Sequence, residues 1–331
     1  LGVTFLMSCV FSVVSFAVLS PNIEEEAGLS SSSLSVLTGV FFFAYSIAQL
    51  ISGILIDRIG IRWILGLTAL IASVGGFLFI ASDQPATMYV ARGLMGVGLS
   101  STFVGGLSLA SRWFPPSRFG VMSGVTNMVA NLAGALGSWA IAGFSYTPVV
   151  LWWAVINTGI AIAIFGLLGD RQTHAVGENT AGSSRPDLKE GFRFLLGSRE
   201  IWVTSLFFTG TFGTFLSYAN FWNIQVQQGY GVPIGNAASL NALLPIGLAF
   251  GSVLFGILAD RIGRVGLPCR ICAVGSLCAF TTLVYTPAVP MWVVAALLFI
   301  SGLFFGGATL AFPAAVRHCR LSIQGAAIGL I

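Results

Sequence analysis

A chain of 331 residues that is 56% hydrophobic and only 8% charged is excluded from the water-soluble globular class, where about a quarter of residues carry charge. Apolar runs of about 20 residues recur along its length, enough to cross a hydrocarbon core of roughly 30 Å as helix. They lack the alternating polarity of barrel strands, so the composition predicts an all-α polytopic membrane protein with the lipid bilayer as its solvent. The net charge of +4 reflects where Lys and Arg sit around the membrane and does not suggest nucleic acid.

Taken in order, the first apolar segment runs from about Leu1 to Ser20 and is expected to end at Pro21. A loop with Glu24, Glu25 and Glu26 follows, then the second segment, about Leu34 to Ile56. The third covers about Trp63 to Ala81, and the fourth about Met88 to Ala110, with Arg92 inside it. Pro115 and Pro116 stop the chain before the fifth, about Gly120 to Phe144; the sixth covers about Val149 to Leu168. The long polar stretch 169–200 divides an N-terminal six-helix bundle, 1–168, from a C-terminal bundle, 201–331. That second part holds segments at about Ile201 to Trp222, Ala237 to Leu258, Leu267 to Tyr285 and Met291 to Ala311, the last ending at Pro313. An eleventh begins near Ile323. No cleavable signal peptide is visible, and the chain reads as trimmed at both ends.

Fourteen of the fifteen Lys and Arg fall around the loops after segments two, four, six, eight and ten. The loops on the other side have none. Short basic loops stay in the cytoplasm, so the N-terminus is expected there, in a multi-pass protein of the plasma (inner) membrane. The five cysteines sit in apolar or membrane-edge positions. Cys269-x-x-Cys272 has no second pair beside it, so it reads as packing, and neither a metal nor a cofactor is expected.

The stretch Gly53-Ile-Leu-Ile-Asp57-Arg58-Ile-Gly60-Ile-Arg62 returns in the second half as Gly256-Ile-Leu-Ala-Asp260-Arg261-Ile-Gly263-Arg264, each time between two apolar segments. This pattern resembles the signature loop of the major facilitator superfamily. Arg92-Gly-Leu-Met-Gly96-Val-Gly98 resembles that superfamily's second motif. The resemblance covers the whole chain. It implies the major facilitator fold: two six-helix bundles, here ten helices and the start of an eleventh, with a substrate site between the halves near the midplane. The chemistry of the repeated stretch suits the match. Gly53 and Gly256 permit close helix approach. Asp57 and Asp260 can pair with nearby Arg and sit at the positive N-terminal end of a neighbouring helix. Gly60 and Gly263 permit a tight turn. The resemblance implies that Gly53, Asp57, Arg58, Gly60 and Arg62, with Gly256, Asp260, Arg261, Gly263 and Arg264, form cytoplasmic latches that break when the protein opens inward.

Arg92 is the charged residue set more than a turn inside an apolar segment, Arg270 standing at the first turn of the ninth; burial of charge is costly there and marks a functional position. A permanent cation there suits a carboxylate through a bidentate contact. Asn127 and Asn131 share a helix face, and Tyr218, Asn220 and Asn223 lie on the seventh segment, which in the resembling family lines the cavity. These six residues are the candidate substrate contacts. Interhelical hydrogen bonding, worth on the order of 1 kcal/mol each, is the plainer use of such asparagines. No segment holds a carboxylate or histidine that could titrate, so coupling to a proton would use a missing helix, an edge residue such as Glu26, or not occur. The absence of a proline in the fifth segment argues against the drug/proton antiporters, and the absence of Arg in the second and eighth argues against nitrate porters. The run Ala110-Ser-Arg112-Trp-Phe-Pro-Pro-Ser-Arg118 is similar to carriers near the organic-anion symporters and the lysosomal dipeptide transporters.

The expected function is a secondary transporter, working as a monomer by alternating access on a small polar, carboxylate-bearing organic solute. A major facilitator-like sensor or partner-binding protein, or an efflux carrier of another solute class, is the alternative. An enzyme is not expected, since no carboxylate pair, histidine cluster or activated nucleophile lies in the spans.

Overall fold

The computed structural model describes residues 1–81, 84–114, 118–141, 144–168, 193, 195–219, 226–227, 229–231, 240–285, 290–317, 319 and 323–331. A helix stands at each of the expected apolar segments, and no strand occurs among the described residues. Among the described residues seven helical stretches are long and apolar enough to cross a membrane, or eight if the bent first helix counts as one span.

The chain forms two compact units. The first comprises Leu1–Leu109, Ala133–Arg193 and Cys319–Leu330, and the second Ala110–Leu132 and Phe194–His318 with Ile331. The polar stretch expected as a linker lies mostly outside the described residues.

The first unit holds α1 (Gly2–Glu26), α2 (Ser31–Ile59), α3 (Ile61–Ile80) and α4 (Pro85–Leu99), and the larger part of α5 (Ser101–Trp113), whose last residues from Ala110 belong to the second. α1 does not end at Pro21. It continues to Glu26 and bends by 45° between Gly2–Phe16 and Val18–Glu26, one turn before the proline that removes a backbone bond. The extra turn persists because Leu19 and Ile23 bury against Leu29, Leu34, Phe79, Met88 and Tyr146. α2 starts at a serine cap, with Ser30 Oγ accepting from Ser33 N at 3.2 Å.

α6 (Phe119–Ala140) contributes its first part to the second unit and its end to the first, which also holds α7 (Tyr146–Leu167). Small residues and hydroxyls join these helices, as expected where lipid gives no hydrophobic drive for association. Ser73 Oγ donates to Ala154 O at 2.8 Å, Ser52 and Ser100 meet at 2.9 Å, and Ser8 Oγ donates to the fully buried Asn157 at 2.9 Å.

The second unit contains α8 (Arg199–Phe208), a π-helical turn Thr209–Gly213 and α9 (Thr214–Ser217) where one continuous helix was expected. α10 (Leu243–Ile262), α11 (Gly266–Tyr285) and α12 (Met291–Gly306) follow. α10 and α12 cross backbone to backbone: a Cβ on Gly251 would lie 1.9 Å from Leu303 O. A 3-10 turn, Gly307–Leu310, then leads into α13 (Ala311–Val316). The span therefore passes Pro313 and does not end there. Pro313 occupies the third position of a new helical turn, where an N–H has no intrahelical partner to lose. The last helix, α14 (Gln324–Leu330), belongs to the first unit.

Candidate functional site

The two copies of the repeated stretch place their acidic residue alike but leave their helices differently. In neither is the acidic residue on a loop: Asp57 and Arg58 lie in the last turn of α2, and Asp260 and Arg261 in that of α10. A single residue, Gly60 at φ 105°, separates α2 from α3. Gly263, at φ 69°, ends α10 in the left-handed region. Glycine occupies both conformations without steric cost.

Each aspartate accepts backbone hydrogen bonds at the start of another helix. Asp57 Oδ1 takes Gly325 N at 3.2 Å, and its Oδ2 takes Ala326 N at 2.9 Å, both in α14. Asp260 Oδ2 takes Val121 N at 2.8 Å in α6. A carboxylate there meets unpaired N–H groups and the positive end of the helix dipole. The motif glycines make the approach possible, for a Cβ on Gly53 would lie 2.3 Å from Gly325 O and one on Gly256 2.5 Å from Gly120 O. Arg62 donates to Phe165 O and lies near the Trp63 ring, while Arg58, Arg261 and Arg264 are exposed. Arg317 Nη1 caps the exit of α10 by donating to Gly263 O at 3.1 Å. Beside Asp57, outside the spans, Cys319 has its thiol pushed up to about 11, first by burial and then by the aspartate's charge.

Arg92 is buried, with 3% of its surface exposed. α4 carries it seven residues beyond Pro85, about 10 Å along the axis. Its guanidinium carbon lies 4.1 Å from the ring centroid of Phe16 on α1 and 4.4 Å from that of Phe41 on α2. Nη1 donates to Ser12 Oγ at 3.4 Å and lies 3.9 Å from the sulfur of Met95. Nε is buried with no hydrogen-bond partner. Among the described residues no carboxylate pairs with this cation; the two rings take over part of that role, each cation–π contact contributing on the order of 1–2 kcal/mol when desolvated. Arg92 borders a narrow crevice of about 20 Å³, room for about one water, lined also by the buried Ser12, Ser15, Phe16, Phe79 and Trp153.

The remaining candidates divide. Asn127 and Asn131 meet on α6, where the Nδ2 of Asn131 donates to the side-chain and main-chain oxygens of Asn127, the latter at 2.9 Å. Tyr218, in the second unit, is 4% exposed, packs edge-on to Phe280 at 4.9 Å and has a buried hydroxyl without a partner. Asn220 and Asn223 lie outside the described residues. Asn241 donates to Ala219 O at 3.1 Å, a plain tie between backbone segments. Phe16, Phe41 and Ser12 were missed by sequence reasoning, since nothing local in α1 or α2 marks which residues meet an arginine of α4.

A family model described as Major Facilitator Superfamily matches residues 1–331. The chain is 22% identical to a gentisate transporter of Corynebacterium glutamicum over 342 aligned positions, covering 99% of this chain and 75% of that protein. It is 24% identical to a transporter of Cupriavidus necator assigned to sulfoacetate, covering 79% of this chain and 64% of that protein, so it spans less than two thirds of this relative's length. Among solved structures it resembles the fucose:proton symporter of E. coli, with a TM-score of 0.72, 12% identity, and coverage of 99% of this chain and 87% of that one. With a family match along its entire length, the same fold as a solved transporter and two copies of the glycine–aspartate helix contact, the chain belongs to the Major Facilitator Superfamily.

Proposed function

We propose that this protein is a secondary transporter that moves a small carboxylate-bearing organic solute by alternating access, with Arg92 holding the anionic end. The observation that carries this reading is the guanidinium itself: it is buried without a carboxylate partner among the described residues, Nε is unpaired, and only a narrow crevice borders it. Nature seldom leaves a cation inside a membrane uncompensated, and a substrate anion supplies the compensation. The named cargoes of the two relatives, gentisate and sulfoacetate, are organic anions, which supports the same class.

The aspartate–helix contacts serve in this reading as latches on the cytoplasmic side, closed at Asp57 and Asp260 and broken in the inward-open state. The N-terminus lies in the cytoplasm, and the protein resides in the inner membrane.

Purified protein is heated with sodium salts of gentisate, hexanoate and gluconate. A carboxylate at 100 times its Kd raises stability by about 2.7 kcal/mol, seen as a higher melting temperature. Arg92→Ala is expected to remove both this shift and uptake into proteoliposomes while leaving expression intact. Unchanged uptake kinetics in Arg92→Ala sink the assignment.

A further inference from the structure

The turn that joins α10 to α11 in the second unit collects positive charge. Arg261 stands in the last turn of α10, Arg264 follows Gly263, and Arg270 lies near the start of α11, all three exposed. Arg317, just after α13, joins them through its hydrogen bond to Gly263 O at 3.1 Å. The acid of this stretch, Asp260, is turned away from them, with Oδ2 on Val121 N of α6 at 2.8 Å. Counted from the turn glycines, Arg264 and Arg270 stand where the first copy has Ile61, which is buried, and Leu67, which is exposed. The first copy makes its aspartate–helix contact without those two cations, so they serve something other than that contact.

Beyond the charge, α11 has two unlike faces. Pro268, Cys272, Ser276, Ala279 and Leu283 are buried, while Leu267, Ile271, Val274 and Leu277 are exposed on the opposite side. The rise from Leu267 to Leu277 is about 15 Å, half of a hydrocarbon core of roughly 30 Å, so the exposed stripe has the depth of one leaflet. Arg270 shares that exposed face, and because helical side chains lean toward the N-terminus it reaches back to the turn and Arg264. Guanidinium forks at the head of an apolar stripe suit a phosphate and the acyl chains attached to it. A free phosphate shares the headgroup chemistry but lays nothing on the stripe, and a zwitterionic lipid adds an ammonium to a cluster already cationic. From this arrangement we infer that Arg264 and Arg270, with Arg261 beside them, form a headgroup site for an anionic phospholipid whose acyl chains lie along Leu267, Ile271, Val274 and Leu277. This site stands whether or not Arg92 holds a solute.

Native mass spectrometry of the purified full chain tests it, with phosphatidylglycerol and phosphatidylcholine of matched acyl chains offered in equal amounts. Phosphatidylglycerol is expected to be retained at least about fivefold over phosphatidylcholine. Arg264→Gln and Arg270→Gln are each expected to weaken it about fivefold, the effect of one basic residue near an anionic headgroup, and to leave phosphatidylcholine within about twofold. Arg270→Leu, which installs the residue of the first copy and keeps the face apolar, is expected to lose the same selectivity. Arg199→Gln removes an exposed cation from the start of α8 and is expected to match the parent. Equal retention of the two lipids, or retention of neither, overturns the site. A loss in Arg199→Gln as large as that in Arg264→Gln also overturns it, since the attraction is then diffuse. Inorganic phosphate that displaces phosphatidylglycerol at equal concentration overturns the lipid as occupant and assigns the arginines to free phosphate.

Discussion

Replacing Gly53 by alanine tests the latch at its tightest point. The added Cβ would lie 2.3 Å from Gly325 O, 2.9 Å from Gly325 C and 3.2 Å from Ala326 Cα, all backbone atoms that no rotamer change can move. Restoring ordinary contact requires α2 and α14 to part by about 1 Å. That movement carries the N–H groups of Gly325 and Ala326, now 3.2 and 2.9 Å from the Asp57 oxygens, to about 4 Å, beyond hydrogen bonding. Charge-assisted bonds contribute about 1.5–3 kcal/mol each, and water recovers part of that at this half-buried site, so the net loss is about 2–3 kcal/mol. Such a loss shifts a two-state equilibrium roughly 30- to 150-fold toward the separated state. Spin labels at Ile59 and Ile323, in a background where the five free cysteines are replaced, report the separation by double electron–electron resonance. The variant is expected to gain a population at longer distance. Gly39→Ala, on the same helix but with nothing within 4 Å of the new Cβ, serves as the control and is expected to match the parent. Superimposable distributions for Gly53→Ala and Gly39→Ala would refute the reasoning.

Other outcomes follow from single groups. Tyr218→Phe removes a buried hydroxyl that has no partner, so stability to chemical unfolding is expected to rise by about 1 kcal/mol. If Tyr218 also touches solute, uptake falls in the same variant; a drop in stability contradicts the burial argument. Cys319, with its thiol near 11, is almost wholly protonated at neutral pH, and the thiolate is the reactive form. In a variant keeping Cys319 alone, alkylation by iodoacetamide is expected to speed up about tenfold per pH unit from 7 toward 10 and to level off near 11. Asp57→Asn removes the second cause of the shift and is expected to bring that plateau to lower pH; a plateau near 8 in the parent contradicts the assignment.

Much of this architecture is local and was therefore legible. Hydropathy depends on composition within one segment, so the apolar helices could be placed without knowing their neighbours. Gly60 and Gly263 could be read as turn residues because the backbone demand there is met by the residue itself. The two prolines misled for the complementary reason. Pro21 and Pro313 are local stop signals, yet the burial of Ile23 and the fresh turn after Gly307–Leu310 let the helices pass them. The π turn at Thr209–Gly213 leaves no mark in a hydropathy pattern.

What the amino-acid order determined by itself was the membrane, the succession of helices, the doubled glycine–aspartate stretch and the arginine set inside the fourth apolar segment. What the tertiary structure alone decided was which groups meet: Asp57 with the start of α14, Asp260 with the start of α6, and Arg92 with Phe16 and Phe41. The physical reason lies in the solvent. In water a helix shows which face is inward by its polarity, but lipid is as apolar as a protein core, so that signal disappears. Phe41 and Phe43 are the same residue two positions apart on α2; one is 1% exposed beneath the guanidinium and the other 71% exposed, and only the neighbouring helices distinguish them.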